Sequence, residues 1–257
     1  MEVLQHGKVA MASLFTFVAR NRQTHKAMVV HQLDPQTDLE KRRFKEAQAI
    51  ADTKKQNRLK AMQAQDHMEA STAQERAIAR LLQESQPLLT MPALASPHDV
   101  LIRNTIASNS LICQPQQRNT AGRIFGGFLM RRAFELAYAT AYLFAGSRPT
   151  FEKVEHVDFR EPVEVGSLLR LHSAVILTQP ELEFPLLTVD IEAVVARPEQ
   201  RCSIQCNTFT FTFSLERDEM ARTGNDRLKR VLASNLEEAR RQLQVMQLLG
   251  VSPDKSA

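Results

Sequence analysis

The sequence predicts an α+β fold in which an antiparallel sheet wraps around one long apolar helix. Three observations predict it. Residues 208–215 alternate strictly: Phe209, Phe211, Phe213 and Leu215 share one face, and Thr208, Thr210, Thr212 and Ser214 share the other. A period of two marks a strand. Residues 126–144 carry Phe128, Leu129, Ala133, Phe134, Leu136, Ala137, Ala141 and Leu143. A helix apolar on most of its sides is buried by neighbours on more than one face. Third, the order is strand, glycine loop, helix, four strands. The last strands are joined by short connections, which suits antiparallel neighbours.

Composition narrows the function classes. The chain has 257 residues, 43% of them apolar, enough for a core of ordinary size. No run of 18 apolar residues occurs, so no membrane-spanning helix is expected. A net charge of +4 is mild, and Trp is absent with only two Tyr. That argues against a stacking surface for single-stranded nucleic acid. Cys113, Cys202 and Cys206 are an odd set, and the seven histidines form no metal-ligand motif. Cys202 and Cys206, four apart on a strand, should point the same way yet lie roughly 13 Å apart. That spacing suits neither a disulfide nor a zinc pair. Residues 1–10 lack the apolar segment of a secretory signal, and Glu2 and the strand-like SLFTFVAR do not read as a transit peptide.

Residues 8–33 read as sheet, with strands over 12–20 and 27–33 around a polar turn. Pro35 closes this piece. From Asp38 to Gln86 there is no Gly or Pro, and helix formers dominate. Apolar positions are sparse and no heptad links them, so this is either a solvated linker helix, broken near 66–71, or a helix that binds a partner. Pro87, Pro92 and Pro97 mark a connector. Beyond it are a strand over 110–113, the glycine loop, the helix of 126–144 ended by Gly146, and strands over 151–159, 168–178, 186–197 and 203–215. Residues 226–249 read as a terminal helix stopped by Gly250 and Pro253.

After Gly7 no glycine appears until Gly122, followed at once by Gly126 and Gly127. Glycine sits where backbone turns sharply or lies close to something else. A loop of this kind opening a helix can present N–H groups to a carbonyl or a phosphate. No Gly-x-Ser-x-Gly elbow exists, so a serine nucleophile of that type is unsupported.

The stretch CQPQQRNTAGRIFGGFLMRRAFELAYATAYLFAGSRP, with FREPVEVGSLLRLHSAVILTQ and NTFTFTFSLE, resembles the second domain of the acyl-coenzyme A thioesterase 9 family, tandem hotdog enzymes of the mitochondrial type. FTFVARNRQTHKAMVVHQLDPQT resembles the last strands of their first hotdog. The resemblance implies a layout of terminal strands of an incomplete first hotdog (1–35), a helical linker (36–97), a complete hotdog (98–220) and a C-terminal helix and tail (221–257). The chain would then be an N-terminally truncated member.

The resemblance also implies the chemistry. Thioester hydrolysis needs a polarised carbonyl, a positioned water and a group that orients or deprotonates that water. The Gly127 N–H at the helix start is the candidate for the carbonyl, or Gly126 and Gly127 only let helix and sheet approach. Asn119 is the candidate for holding water or carbonyl, or it is a turn-forming Asn. The acid that relatives carry seven positions after the second glycine is here Phe134. Glu135, about 100° further round the helix, is either the base or a structural carboxylate. Arg123, Gly126 and Arg148 are the candidates for coenzyme A, with Arg131 and Arg132 as helix-face alternatives. No separate cofactor or metal is implied, since coenzyme A is part of the substrate. The implied partners are acyl-coenzyme A and further copies through hotdog pairing, in mitochondria or else the cytoplasm. The rival reading is a non-catalytic hotdog subunit.

Overall fold

The computed structural model describes residues 2–5, 8–12, 19, 21, 24, 26, 28–49, 51–52, 72–224 and 227–251. The chain divides into two compact units, Met1–Glu69 and Ala70–Ala257. In the first, β1 (Glu2–Gln5) and β2 (Lys8–Ala12) form an antiparallel hairpin. The strand expected over 12–20 lies largely outside the described residues. Residues 28–33 form no strand, although the Met28 N–H donates to the Ala19 carbonyl at 2.8 Å. Helix α1 runs over 38–49 and is exposed along its length, as sparse apolar spacing requires.

The second unit is built on a five-stranded antiparallel sheet. Its strands are β4 (Ala107–Ile112), β5 (Thr150–Phe159), β6 (Leu168–Gln179), β7 (Leu186–Arg197) and β8 (Cys202–Ser214). They lie in the order β4-β6-β7-β8-β5. The 20-residue helix α4 (Gly126–Ala145) fills the curve of this sheet. Leu169, Leu171, Val189, Ile191, Phe209, Phe211 and Phe213 point inward and are fully buried or nearly so. Each such side chain contributes about 1.5–3 kcal/mol on leaving water. Gly146 ends α4 in the left-handed conformation at φ 67°, its N–H returning to the Tyr142 carbonyl at 2.9 Å.

The Thr face of β8 is buried too. Thr210 donates to Asp190 at 2.7 Å, Thr212 to Glu155 at 2.9 Å, and Ser214 to Glu152. Arg241 clamps Asp190 with two bonds, at 2.6 and 2.7 Å, and so pins helix α6 (Leu236–Leu249) to the sheet.

Three expectations need correction. The stretch 38–86 is not solvated throughout, and its residues 53–71 lie outside the described ones. Helix α2 (Thr72–Glu84) belongs to the second unit, with Leu81 and Ser85 buried in its core, and is followed by the short α3 (Gln86–Thr90). The tail of 226–249 is not continuous helix either. After α5 (Arg217–Arg222), strand β9 (Arg230–Leu232) pairs in parallel with β3 (Asp99–Leu101). Arg230 ties this pair to Asp99 and Glu84. Helix α6 starts only at a box in which the Asn235 side chain accepts the Glu238 N–H and Glu238 accepts the Ser234 N–H. Finally, Cys202 and Cys206 do not share a face. A register shift between Ala193 and Val194 leaves Cys206 as the extra residue opposite them. Cys202 is exposed, whereas Cys206 is buried and its thiol is pushed up to about 11 by desolvation.

Candidate active site

The loop before α4 is held by its own backbone. Residues Arg118 and Ile124 form an antiparallel bridge. Within it the Asn119 N–H donates to the Arg123 carbonyl at 2.6 Å, and the Gly122 N–H to the Asn119 carbonyl at 3.0 Å. The Asn119 side-chain oxygen accepts from the Ala121 N–H at 2.8 Å and the Arg123 N–H at 3.2 Å. Asn119 therefore shapes the turn with Oδ1, and its amide nitrogen remains as a donor to other groups. Gly122 has φ +82°, which an L side chain rarely adopts. Ile124 is buried and anchors the loop through its N–H to the Val163 carbonyl at 2.9 Å.

Phe125 turns the loop into the helix. Its N–H donates to the Gln117 carbonyl at 2.8 Å, and its carbonyl receives the Phe128 and Leu129 N–H groups. No side chain caps this helix end. The Gly126 and Gly127 N–H groups thus have no hydrogen-bond partner among the described residues, as the first donors of a helix do not unless a cap meets them. A Cβ on Gly127 would lie 2.4 Å from the Phe125 ring, and one on Gly126 would lie 3.2 Å from the Phe159 ring. Both glycines let aromatic rings lie against the start of the helix, so close approach and free N–H groups coexist.

Beside this helix end is an open groove of about 510 Å³, lined by Gln116, Gln117, Arg118, Asn119, Thr120, Phe125 and Phe128. Its lining combines two aromatic side chains with polar ones. Asn119 lines it and the glycine pair follows directly in the chain between the lining residues Phe125 and Phe128, while the other nominated residues fall elsewhere. Arg123 is paired with Glu164 at 3.3 Å. Arg148 follows the far end of α4, about 30 Å from the glycines at the helical rise per residue. Glu135 sits more than two turns along α4 and is held by Arg131 at 3.0 Å and Arg132 at 2.7 Å. The hydrogen bond from Arg131, then that from Arg132, keeps its carboxyl below the usual carboxylate range. Phe134, at the position of the expected acid, packs among Tyr138, Phe151, Phe211 and Phe213. The groove walls Arg118, Phe125 and Phe128 were not singled out from sequence. Their signal was present as a cation beside Asn119 and two phenylalanines bracketing the glycine pair.

The fold is shared with solved structures. An acyl-CoA hydrolase from Staphylococcus aureus, solved with butyryl coenzyme A and coenzyme A, superposes with a TM-score of 0.52 at 18% identity, covering 59% of this chain and 88% of that one. This chain is a hotdog. The sequence adds kinship. The hotdog chain is 45% identical over 239 residues to acyl-coenzyme A thioesterase 2, chloroplastic, of Humulus lupulus, covering 93% of this chain and 54% of that protein. It is 34% identical over 208 residues to acyl-coenzyme A thioesterase 9, mitochondrial, of Mus musculus, covering 79% of this chain and 46% of that protein. These relatives are acyl-coenzyme A thioesterases by name, and the chain spans about half the length of the curated relatives it matches. The resemblance to thioesterase 9 holds at this coarser level, since the plant protein is the more similar of the two. No protein-family profile matches the chain. Among the described residues no helix is long and apolar enough to cross a membrane.

Proposed function

We propose that this hotdog hydrolyses acyl-coenzyme A: water adds to the thioester carbonyl, the C–S bond breaks, and free acid and coenzyme A thiol leave. The observation that carries this reading is the uncapped start of α4, where two N–H groups without a partner among the described residues lie between Phe125 and Phe128 of a groove lined by aromatic and polar side chains. The Gly127 N–H, aided by the helix dipole, stabilises the oxyanion that develops on the carbonyl. The Asn119 amide nitrogen, fixed by its Oδ1 bonds, holds the water or the carbonyl. The kinship with thioesterases supports the same chemistry.

The base comes from outside this domain. Phe134 lies in an aromatic cluster and Glu135 is occupied by two arginines, so neither is poised to take a proton from water. The pairing of hotdogs supplies a second surface. Strand β5 is an outer strand of the sheet and exposes Phe151, Val154 and Phe159, which supports assembly through that edge with a second copy or an unequal partner. We take residues 1–35 as the end of a first hotdog, joined through the linker to the complete hotdog of 98–220, against which α2 and α6 pack within one unit, in the mitochondrial thioesterase 9 manner. Purified protein given acyl-coenzyme A of graded chain length should release free thiol. No release above buffer, from folded protein at every length, would sink the catalytic reading.

A non-catalytic subunit is the second reading, favoured by Phe134, half-buried in its aromatic cluster where an acid is expected. It requires coenzyme A binding or association without turnover.

A further inference from the structure

The groove carries one charge. Of its seven lining residues only Arg118 is ionised, and none is acidic. The neighbouring cations are already committed: Arg123 to Glu164, Arg131 and Arg132 to Glu135. Arg148 is a full helix length away. Arg118 is exposed and has no ion pair among the described residues. Its backbone is nevertheless fixed, since the bridge to Ile124 and the bond from Phe125 to Gln117 hold its position at the groove rim. A fixed backbone carrying a free guanidinium, next to an aromatic wall, suits a ligand that is anionic at one end and uncharged along its length.

We propose that Arg118 receives the diphosphate of coenzyme A, whose uncharged pantetheine arm then runs along Phe125 and Phe128 toward the start of α4. Guanidinium matches phosphate oxygens with two parallel bonds, and no acidic side chain in the groove competes for it. The assignment rests on the thioesterase reading for its ligand, but not on turnover. It transfers the phosphate-binding role from Arg123 and Arg148 to a residue whose charge is free.

Calorimetric titration of the full chain with coenzyme A and, separately, with pantetheine, which has no phosphate, tests it. Arg118→Ala should weaken coenzyme A binding about ten-fold and leave pantetheine unchanged. The affinity of the wild type for coenzyme A should fall with added salt, and that dependence should flatten in the variant. Arg118→Lys should retain the salt dependence while recovering only part of the affinity. Three outcomes overturn the proposal: unchanged coenzyme A binding in Arg118→Ala, an equal loss for both ligands, or a wild type that binds coenzyme A no better than pantetheine. Coenzyme A binding that depends on Arg118, without thiol release from any acyl-coenzyme A, would uphold the proposal and sink catalysis.

Discussion

The two ends of α4 are built in opposite ways. At the C-terminus the backbone closes on itself: Gly146 adopts φ 67° and returns its N–H to Tyr142. At the N-terminus no side chain caps the helix, and the Gly126 and Gly127 N–H groups lie between Phe125 and Phe128, two of the residues that line the groove. An uncapped end ordinarily costs about 1 kcal/mol relative to a good cap. The helix tolerates this because its stability comes from packing against the sheet through Leu129, Ala133, Ala137 and Ala141, all buried. One end therefore serves the fold, while the other keeps its donors for a ligand.

The largest test of that contrast is Gly127→Ala. The new Cβ would meet the Phe125 ring at 2.4 Å. Phe125 is 57% exposed, so its ring can swing aside with little loss of stability. The donors and the groove wall would be displaced with it. We expect kcat/KM for acyl-coenzyme A to fall about 100-fold, with a melting temperature close to wild type. Unchanged turnover would mean that the glycine serves packing alone.

A pair of variants at Asn119 sharpens the same end. Asn119→Ala removes the oxygen that holds two loop N–H groups, and so loses both loop shape and the side-chain donor. Asn119→Asp keeps the acceptor, replaces the donor with an oxygen and adds a negative charge. If the amide nitrogen acts on substrate, steady-state assays should show Asn119→Asp about ten-fold slower with the loop intact. An Asp variant as active as wild type would leave Asn119 a turn former.

At the other end, Gly146→Ala should act on the fold alone. A Cβ in the left-handed region costs about 1–2 kcal/mol, read as a lower midpoint in urea, while KM and kcat per folded molecule stay unchanged.

Much of this was legible in the sequence because local patterns dominate it. The alternation of 208–215 and the all-round apolar face of 126–144 place sheet and helix within a residue or two of where they lie. Gly146 marks the helix end as written. The terminal elements were not legible, because their conformation is set by distant partners. Arg230–Leu232 sits among helix formers, yet pairs with Asp99–Leu101, some 130 residues earlier in the chain. The Asn235 and Glu238 box that starts the last helix is a local signal written in the sequence. In the site, residue type suggested Asn119 and the glycines. What sequence does not express is which charges are already neutralised. Arg123, Arg131 and Arg132 look equivalent to Arg118 until Glu164 and Glu135 are seen beside them.

Glu135 gives the smallest expected effect and the finest test of where the chemistry sits. It lies on the side chain-rich middle of α4, between the closed end and the open one. Its carboxyl pKa is depressed by Arg131 and Arg132. A depressed carboxyl contributes stability that is present above its unfolded value, about 4.3, and that is lost as pH falls through the lower folded value. Across the neutral range it stays charged and cannot be the group whose titration gates turnover. Its side chain is 42% exposed, so the pairing is worth at most about 0.5 kcal/mol. Glu135→Gln should therefore shift the urea midpoint marginally, only at pH above the carboxylate range, and leave the pH profile of kcat/KM in place. A loss of turnover by orders of magnitude, with the alkaline plateau abolished, would instead make Glu135 the base and move the reacting centre from the start of α4 to its middle.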